Sequence, residues 1–552
     1  MMALVAKMTV RNIKTIMRTI RVLLVAALTA ALSLVAQAQV TGPTPLAWRW
    51  AQPTNISPYG SPVVDGNQLY VAVSSRVYCV DREMGTQKWK YPIAEGIDGS
   101  FVTGVLLTSD TLVAAGDNET VYGINPANGQ EKWVYKAPAA VISAPVSVGK
   151  LIVLALADDT LMAINSNDGT AAWQTAYHVF DHLNGHIASF NNNVLYFTQK
   201  NVLFSLNVNN MRPDWKQAFS VISADTTPVV FGDVVYVNNG EFVVSVSANS
   251  GAPRWQRNMG EGLAFSPAVS AEGVAVVSRD GKLFWLNPTN GQFRRPLDAN
   301  GKTPVDARNR PLPYEPLDLG SGVAAQPCCY PGVIIIPSSE GALNMYNSTS
   351  QQLIWSFPIR PYTSGLRFKV KGASGETEKP LLALPAAGPA VINGSQMFVL
   401  SQDGSVLGFD AKFGVDLTAP QVKMAWPNAG SQVNGQQLEV VFQIEDESTG
   451  INEKTLKIEA NGVTCDYEFG RDGVAVVRFS SAGKNGQLRN GKAMFKVTCG
   501  DWFGNTATST FYLSIDNSLK PVGKPADKPG VGGGPGGGKG PGGGGGSGGS
   551  GG

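Results

Sequence analysis

A repeat of about forty residues is the feature of this chain that most restricts its fold. Each copy has two short apolar strands joined by a Gly, Asn or Asp turn, then a third strand that ends in Asp or Asn, and then a Trp. Five of these tryptophans are spaced by 44, 40, 42 and 40 residues: Trp89, Trp133, Trp173, Trp215 and Trp255. This period is the length of one four-stranded blade of a β-propeller. The sequence therefore predicts an all-β fold built from repeated blades.

The end of each copy follows the pattern Asp-x3-Gly-x3-Trp. The polar residue closes the third strand, the Gly supplies a turn that a β-carbon would hinder, and the Trp offers a flat surface to the neighbouring blade. The clearest copies are Asp81, Gly85 and Trp89; Asn125, Gly129 and Trp133; and Asn165, Gly169 and Trp173. Weaker copies end in Trp215 without the Gly, in Gly251 and Trp255, in Gly291 without the Trp, in Trp355, and in Gly414.

Eight such copies fit between residues 39 and 417. Their opening strands begin near Pro62, Val102, Pro145, Ala188, Pro228, Pro267, Pro327 and Pro389. The last copy has no Trp, whereas an unassigned strand with Trp48 and Trp50 precedes the first copy. We therefore expect the amino-terminal strand to complete the eighth blade and to close the ring, which leaves no exposed sheet edge at the seam.

On this motif the chain resembles, over about residues 45–417, the eight-bladed propellers with pyrroloquinoline-quinone-type (PQQ-like) repeats. That family includes quinone-dependent alcohol dehydrogenases, the outer-membrane assembly propeller lipoprotein and many secreted proteins. The resemblance implies the fold, and it implies either PQQ chemistry with Ca²⁺ or a role without catalysis. In the dehydrogenases a disulfide between adjacent cysteines covers the cofactor, and the pair Cys328 and Cys329 is similar to it.

The position of this cysteine pair differs from that in the dehydrogenases. Cys328 and Cys329 open the seventh copy rather than an early one, and no equivalents of the dehydrogenase calcium ligands or base are found. A structural disulfide, with Cys79 as another partner, is the alternative interpretation. We therefore expect no cofactor and no catalytic residues, with PQQ and Ca²⁺ as the alternative.

The amino terminus has the pattern of a secretory signal peptide at residues 1–38. Five basic residues and no acidic ones precede or border an apolar run at 22–35, and small residues follow at Ala36 and Ala38. Removal of this segment leaves 39 Lys and Arg against 42 Asp and Glu. The composition thus lacks the basic footprint of a nucleic-acid-binding protein. We expect an extracytoplasmic protein, and no later stretch is long and apolar enough to be a transmembrane segment.

A second domain and a tail follow the repeats. Residues 418–516 alternate as short strands of a small sandwich, and the segment from Asp501 to Asn505 resembles the last turn of bacterial immunoglobulin-like domains. Cys465 and Cys499 are predicted to form a disulfide there. Acidic residues near 445–447 and 501 can be read as a Ca²⁺ site or as ordinary solvated loops. The Pro, Lys and Gly-rich residues 517–552 are predicted to be disordered.

All three histidines lie within nine residues, and this segment is a candidate transition-metal site. His178, His182 and His186 would share one face of a helix, with Asp181 beside them, although Gly185 interrupts a helix there. The apolar neighbours, including Val179 and Phe180, are read as packing residues, and histidines at the surface or in caps are the alternative. This segment and the long connections at 296–325 and 358–387 are predicted to crowd one face of the ring.

The sequence as a whole favours a secreted, non-catalytic scaffold. We expect the elaborated face to recognise a protein, a peptide or a cell-envelope ligand, with the second domain and tail as spacer and tether. We expect a monomer. The alternatives are a quinone-dependent oxidoreductase and an outer-membrane protein assembly factor.

Overall fold

The computed structural model describes residues 40–521, except 55, 220–226, 299, 364–366, 373–374, 381–382 and 471. The predicted signal peptide and nearly all of the predicted tail lie outside these residues. The described elements are β-strands without helices, as the sequence predicts. Consequently, the described part of the chain has no helix of the length and apolar character that crossing a membrane requires.

Eight four-stranded antiparallel sheets follow one another between Leu46 and Asp410, and we number them as blades 1 to 8. The chain begins with β1 (Leu46–Ala51). Blade 1 contains β2 (Val63–Asp65), β3 (Gln68–Val73), β4 (Arg76–Asp81) and β5 (Gln87–Tyr91). Blade 2 contains β6 (Leu106–Leu107), β7 (Leu112–Ala115), β8 (Thr120–Ile124) and β9 (Glu131–Lys136). Blade 3 contains β10 (Val146–Val148), β11 (Leu151–Ala155), β12 (Thr160–Asn165) and β13 (Tyr177–His178).

The next three blades have the same strand order. Blade 4 contains β14 (Leu183–Phe190), β15 (Asn193–Thr198), β16 (Val202–Asn207) and β17 (Arg212–Ala218). Blade 5 contains β18 (Val229–Phe231), β19 (Val234–Asn239), β20 (Phe242–Ser247) and β21 (Pro253–Asn258). Blade 6 contains β22 (Leu263–Val269), β23 (Val274–Ser278), β24 (Lys282–Leu286) and β25 (Leu317–Asp318).

The last two blades are separated by an inserted hairpin. Blade 7 contains β26 (Cys328–Tyr330), β27 (Val333–Pro337), β28 (Ala342–Asn347) and β29 (Leu353–Pro358). The hairpin consists of β30 (Arg367–Gly372) and β31 (Gly375–Pro380). Blade 8 contains β32 (Val391–Asn393), β33 (Gln396–Leu400), β34 (Ser405–Asp410) and, as its outer strand, β1.

The predicted role of the amino-terminal strand is confirmed. β1 pairs antiparallel with β34, with Trp50 opposite Val406 and Ala51 opposite Ser405. Both segments have the alternating side-chain pattern of β-strands, which allows this pairing. The last copy of the repeat lacks an outer strand of its own, so β1 takes that position. The first and last parts of the ring are therefore joined within one sheet.

Apolar side chains fill the space between neighbouring blades all around the ring. Each adjacent pair of blades shares a cluster of buried residues, and blade 8 shares one with blade 1 through Trp50 and Leu69. The second and third strands are buried on both faces, since each blade is covered by two neighbours. This explains why those strands read as continuous β-branched and aliphatic runs.

Two outer strands are interrupted. In blade 3, Ala171 bridges Ile164, and the strand resumes only at β13. In blade 6, Phe293 bridges Leu286, and the long insertion 294–316 precedes β25.

The position of the blade 6 insertion corrects the prediction that three long loops share one face. Connections to the next blade lie at one end of an antiparallel blade, whereas the turn before the outer strand lies at the other end. The insertion leaves from within the outer strand, and the backbone N–H of Leu297 donates to Thr349 O, in a turn at that other end. The histidine segment and the connection from blade 7 to blade 8 share one face, and residues 294–316 extend along the rim towards the opposite one.

Residues 421–515 form a sandwich of two sheets, as predicted for the second domain. One sheet has the order β35 (Gln421–Trp426), β37 (Gln437–Glu445), β41 (Val474–Ser480) and β40 (Tyr467–Phe469). The other has the order β36 (Gln432–Val433), β43 (Thr506–Ile515), β42 (Gly491–Asp501), β38 (Ile451–Ala460) and β39 (Val463–Thr464). Their facing side chains share one apolar core around Phe442 and Phe495. The relation to immunoglobulin-like domains stays a prediction.

Candidate protein-binding surface

A short loop at residues 179–182 carries the most exposed aromatic side chain of the described residues. The loop joins the outer strand of blade 3 to the inner strand of blade 4. Its two apolar residues have opposite environments, because Val179 is 2% exposed whereas Phe180 is 93% exposed. The reading of Phe180 as a packing residue is therefore wrong, and this side chain is available to a partner.

Asp159 fixes the loop to blade 3. The backbone N–H of Val179 donates to Asp159 O at 3.0 Å, and that of Leu183 donates to Asp159 Oδ1 at 2.8 Å. His182 Nδ1 lies 2.9 Å from Asp159 Oδ2. Asp159 sits in a turn with a φ of 59°, which orients its carboxylate towards the loop. The loop that presents Phe180 is thus held at both ends.

The same loop is also bound to blade 4. The N–H of Lys200 donates to Asp181 Oδ2 at 3.1 Å, and the N–H of Gln199 donates to His182 O at 2.9 Å. Partial burial opposes ionisation of Asp181, but the N–H groups of His182 and Lys200 outweigh it and hold the pKa of that carboxyl below its usual value. Contacts to two blades make the position of Phe180 a fixed feature of the fold.

An apolar groove lies beside Phe180. Its volume is about 300 Å³. Tyr196 and Phe204 stack in its wall with ring centroids 5.1 Å apart, and Tyr177 packs edge-on against Tyr196. Val202 and Pro213 also line it, and Lys200 and Asp181 mark its polar side. Aromatic rings around a groove with a polar rim are typical of protein-binding sites.

We expect acid to loosen this loop. The N–H of Leu183 and, against some cost of burial, His182 hold the pKa of Asp159 below its ordinary value of 3.8. A depressed carboxyl pKa means that its stabilising contribution is present above pH 4 and is lost as the pH falls through the folded-state pKa. Hydrogen exchange of the Val179 and Leu183 amides should therefore accelerate more in Asp159→Asn than in Asp168→Asn, whose carboxylate lies in the turn at the other end of blade 3. Equal exchange in both variants would contradict this role.

The structure does not form the helix that the predicted histidine site requires. His178 lies in β13, His182 in the loop and His186 in β14. His178 Nδ1 lies 2.9 Å from Val179 O, and His186 Nδ1 lies 3.3 Å from Thr227 Oγ1. Within the described residues, no three ligand atoms from these histidines and Asp181 lie within 4.8 Å of one another. The premise of a shared helical face is wrong, and no function is built on these residues.

The cysteines do not form the arrangement that a quinone site requires. Cys328 and Cys329 are free thiols in this structure. Their side chains pack in different cores, because Cys328 belongs to the cluster between blades 7 and 8 and Cys329 to that between blades 6 and 7. Burial raises the pKa of Cys328 to about 12. The pair therefore does not fit a disulfide covering a cofactor, and no step is derived through PQQ.

Cys79, Cys465 and Cys499 are also free thiols here. Cys79 is buried between blades 1 and 2, and blades 8 and 1 separate it from Cys328 in the core between blades 7 and 8. Cys465 and Cys499 lie in the same sandwich core, so the disulfide between them stays a prediction.

Three aspartates meet where the sandwich contacts the ring. Asp416, Asp446 and Asp501 are all buried, and their carboxylate oxygens lie within 4.8 Å of one another. The sequence singled out the regions of Asp446 and Asp501 but missed Asp416, which belongs to the linker. Each carboxylate accepts N–H groups of its own turn, for example Thr449 at 2.7 Å for Asp446 and Phe503 at 2.8 Å for Asp501. These bonds belong to the turns themselves, and a Ca²⁺ site at these carboxylates stays an alternative interpretation.

Fold and repeats together define a propeller of the PQQ-like class. The family model described as outer membrane protein assembly factor BamB matches residues 75–179 and 178–363, which is more than half of the chain. The chain belongs to this family. The matched part contains the Phe180 loop and both blades that hold it, whereas the sandwich lies outside the match.

Known relatives agree with this assignment. The outer membrane protein assembly factor BamB of Xanthomonas campestris is 27% identical over 255 residues, which is 42% of this chain and 61% of that protein. The BamB protein of Moranella endobia is 20% identical over 246 residues, 41% of this chain and also 61% of the relative. The chain thus matches less than two thirds of these relatives. The crystal structure of BamB from Moraxella catarrhalis has a TM-score of 0.48 at 14% identity, covering 66% of this chain and 99% of that one.

Proposed function

We propose that this protein is an extracytoplasmic, non-catalytic binding propeller that takes part in the assembly of outer membrane proteins. Family membership and the names of its relatives support a role in outer membrane protein assembly. The predicted signal peptide supports the location, and sequencing of the mature amino terminus near Gln39 tests that point. The proposal requires no cofactor, and its partner is a protein subunit of the same assembly machinery.

The observation that carries the proposal is the fixed, solvent-exposed side chain of Phe180 beside an apolar groove. Exposure of an aromatic side chain to water is unfavourable. Its burial by a partner should contribute about 2 to 3 kcal/mol to the free energy of binding for a Phe. Because the loop is already bound to blades 3 and 4, a partner does not need to order it. The groove walls offer aromatic surface, and Lys200 and Asp181 place one charge of each sign at its rim, which together suit an apolar segment with polar flanks.

Capture of the partner through Phe180 tests this function. The photoreactive analogue p-benzoylphenylalanine placed at position 180 of the full chain, in the native organism, should crosslink to a component of the outer membrane assembly machinery that mass spectrometry identifies. Phe180→Ser should weaken capture of that component by a pulldown at least about tenfold, since the buried area of one aromatic ring is lost.

Ile93 provides the matched control. It is 74% exposed in the connection from blade 1 to blade 2, so it lies on the same face of the ring but away from the groove. The photoreactive residue at 93 should give no such crosslink, and Ile93→Ser should bind normally. In cells lacking the gene, outer membrane protein levels should fall and should be restored by Ile93→Ser but not by Phe180→Ser. Full restoration by Phe180→Ser would overturn the assignment of the surface.

A further inference from the structure

The motif tryptophans of the ring obey one hydrogen-bonding rule, and Trp355 departs from it. In six blades the indole N–H donates to a carbonyl of the next blade, at the residue that directly follows the motif Asp, Asn or Ser, over distances of 2.9 to 3.1 Å. The donor and acceptor pairs are Trp48 with Arg82, Trp89 with Pro126, Trp133 with Ser166, Trp173 with Val208, Trp215 with Ala248, and Trp255 with Pro288. By this rule Trp355 of blade 7 should donate to Ala411 of blade 8.

Trp355 instead donates to the sandwich. Its indole N–H lies 2.8 Å from Thr449 O, and the side chain is completely buried. On blade 8, the motif residue Gly414 has no atom within 4 Å of where a β-carbon would lie, whereas the equivalent Gly129 would meet a Trp ring at 2.6 Å. Blade 8 thus lacks the usual contact between its motif Gly and the Trp ring of the preceding blade. A turn of the sandwich instead accepts the hydrogen bond of the Trp355 indole.

Reciprocal contacts extend this interface. The indole N–H of Trp502 in the sandwich donates to Ser356 O of β29 at 3.1 Å. The N–H of Leu46, at the start of β1, donates to Ser448 O at 2.8 Å. A β-carbon at Gly450 would lie 2.7 Å from Ser356 O, so the two backbones are already in contact there. The sandwich therefore covers the outer strand of blade 7 and the start of blade 8's outer strand.

A buried arginine binds the other side of the interface. Arg360 follows β29, and its guanidinium donates to Asp472 O at 2.7 Å and to Ile444 O at 3.3 Å, both in the sandwich. Its Nε lies 3.9 Å from Glu445 Oε1. Burial lowers the pKa of Arg360, with Glu445 acting against it. Both of these carbonyl acceptors belong to the sandwich, so separation of the two domains would break these bonds to a desolvated guanidinium and is unfavourable.

We infer that a turn of the sandwich replaces the motif turn of blade 8 as the hydrogen-bond partner of Trp355, so that ring and sandwich form one rigid, cooperatively unfolding unit whose rim at blades 7 and 8 is closed to partners. On this inference the sandwich is packed against the ring and does not act as the spacer that the sequence predicts. Partners must use the remaining circumference, which includes the Phe180 groove at blades 3 and 4. This inference is independent of the identity of the partner.

Hydrogen exchange of the full chain in increasing urea tests the coupling. Peptides from blade 7 strands and from the sandwich strands β37 and β42 should lose protection at the same urea concentration. Phe442→Ala removes a fully buried ring from the sandwich core and should lower the midpoint of the blade 7 peptides together with that of the sandwich. Val477→Ala, a smaller deletion in the same core, gives the same test if Phe442→Ala does not fold.

Breaking the interface should remove the coupling. In a chain with Trp355→Phe and Arg360→Ala, the core substitution in the sandwich should no longer change the midpoint of blade 7. Trp215→Phe is the matched control, because it removes an indole bond of 2.9 Å within the ring and should leave the coupling intact. If the urea midpoint of the blade 7 peptides is unchanged by both Phe442→Ala and Val477→Ala in the otherwise native chain, the inference is overturned.

Discussion

At pH 7.5, Asp446→Asn should raise the free energy of unfolding by up to about 3 kcal/mol. Burial, together with the nearby charges of Asp416 and Asp501, raises the pKa of Asp446 from 3.8 to about 6. Its Oδ1 accepts the N–H groups of Ser448, Thr449 and Gly450. An asparagine oxygen can accept the same bonds. Asn347 Oδ1 accepts the N–H groups of Thr349 and Ser350 in a similar turn of blade 7.

The sign of this effect depends on pH. A carboxyl whose folded-state pKa exceeds its unfolded-state value stabilises the fold fully below pH 4, and the stabilisation is lost as the pH rises through about 6. At pH 7.5 the native protein therefore holds an unfavourable buried charge that the asparagine does not carry. The gain should shrink between pH 6 and pH 4, and the unfolding free energy of Asp446→Asn should vary less with pH than that of the native protein.

Urea unfolding at pH 4.5, 6 and 7.5 measures this difference, and Asp81→Asn is the matched control. Asp81 is also a buried turn residue, but its Oδ2 lies 3.0 Å from Lys88 Nζ. Although burial opposes ionisation, the N–H groups of Met84 and Glu83 and the Lys88 ammonium lower the pKa of Asp81. Asp81→Asn should therefore destabilise by about 1 to 3 kcal/mol at pH 7.5. A loss of stability in Asp446→Asn at that pH would contradict the prediction.

The ring was predictable from sequence because each blade repeats the same local chemistry. Trp and Gly recur with the blade period, and the missing outer strand of the last copy indicates where β1 must pair. These features depend on contacts between neighbouring copies, which the repeat itself describes.

The docking of the sandwich was not predictable from the same pattern. Trp355 occupies an ordinary motif position, and nothing in the repeat shows that its hydrogen-bond partner lies 94 residues later. Asp416 likewise reads as a linker residue, although it is buried and accepts a bond from Thr449 Oγ1 at 2.7 Å. Contacts between unlike domains leave no periodic signal.

The candidate site shows the limit of local patterns in loops. Histidines four residues apart share a face only on a helix, whereas here a strand, a loop and a strand separate them. Val179 and Phe180 are adjacent and both apolar, and the sequence does not show which of them is buried. In the structure the Val179 N–H donates to Asp159 O, and the Val179 side chain is the buried one. Exposure of Phe180 is thus a tertiary property, although its place in a connection between blades was visible in the repeat.

Gly169→Ala should lower the free energy of unfolding by about 2 to 5 kcal/mol, more than Gly149→Ala does. The residue has a φ of 69°, and a β-carbon there would lie 2.6 Å from the ring of Trp133. That ring cannot retreat, because its other face lies against Gly123 and its N–H is bonded to Ser166 O at 2.9 Å. Left-handed strain of about 1 to 2 kcal/mol therefore adds to an overpacking cost of about 1 to 3 kcal/mol.

Gly149→Ala separates these two costs. Gly149 has a φ of 61° but no atom within 4 Å of its would-be β-carbon, so only the strain of about 1 to 2 kcal/mol should appear in urea unfolding. Blade 4 shows how the native chain avoids the overpacking cost, because Met211 replaces the motif Gly there with a φ of 55°. Its facing Trp173 lies after the Ala171 bridge in the irregular part of blade 3's outer strand, where the N–H groups of Ala172 and Trp173 donate to Ala163 O. Trp133 lies within the regular strand β9, so equal losses in Gly169→Ala and Gly149→Ala would show that its ring yields to the added methyl group.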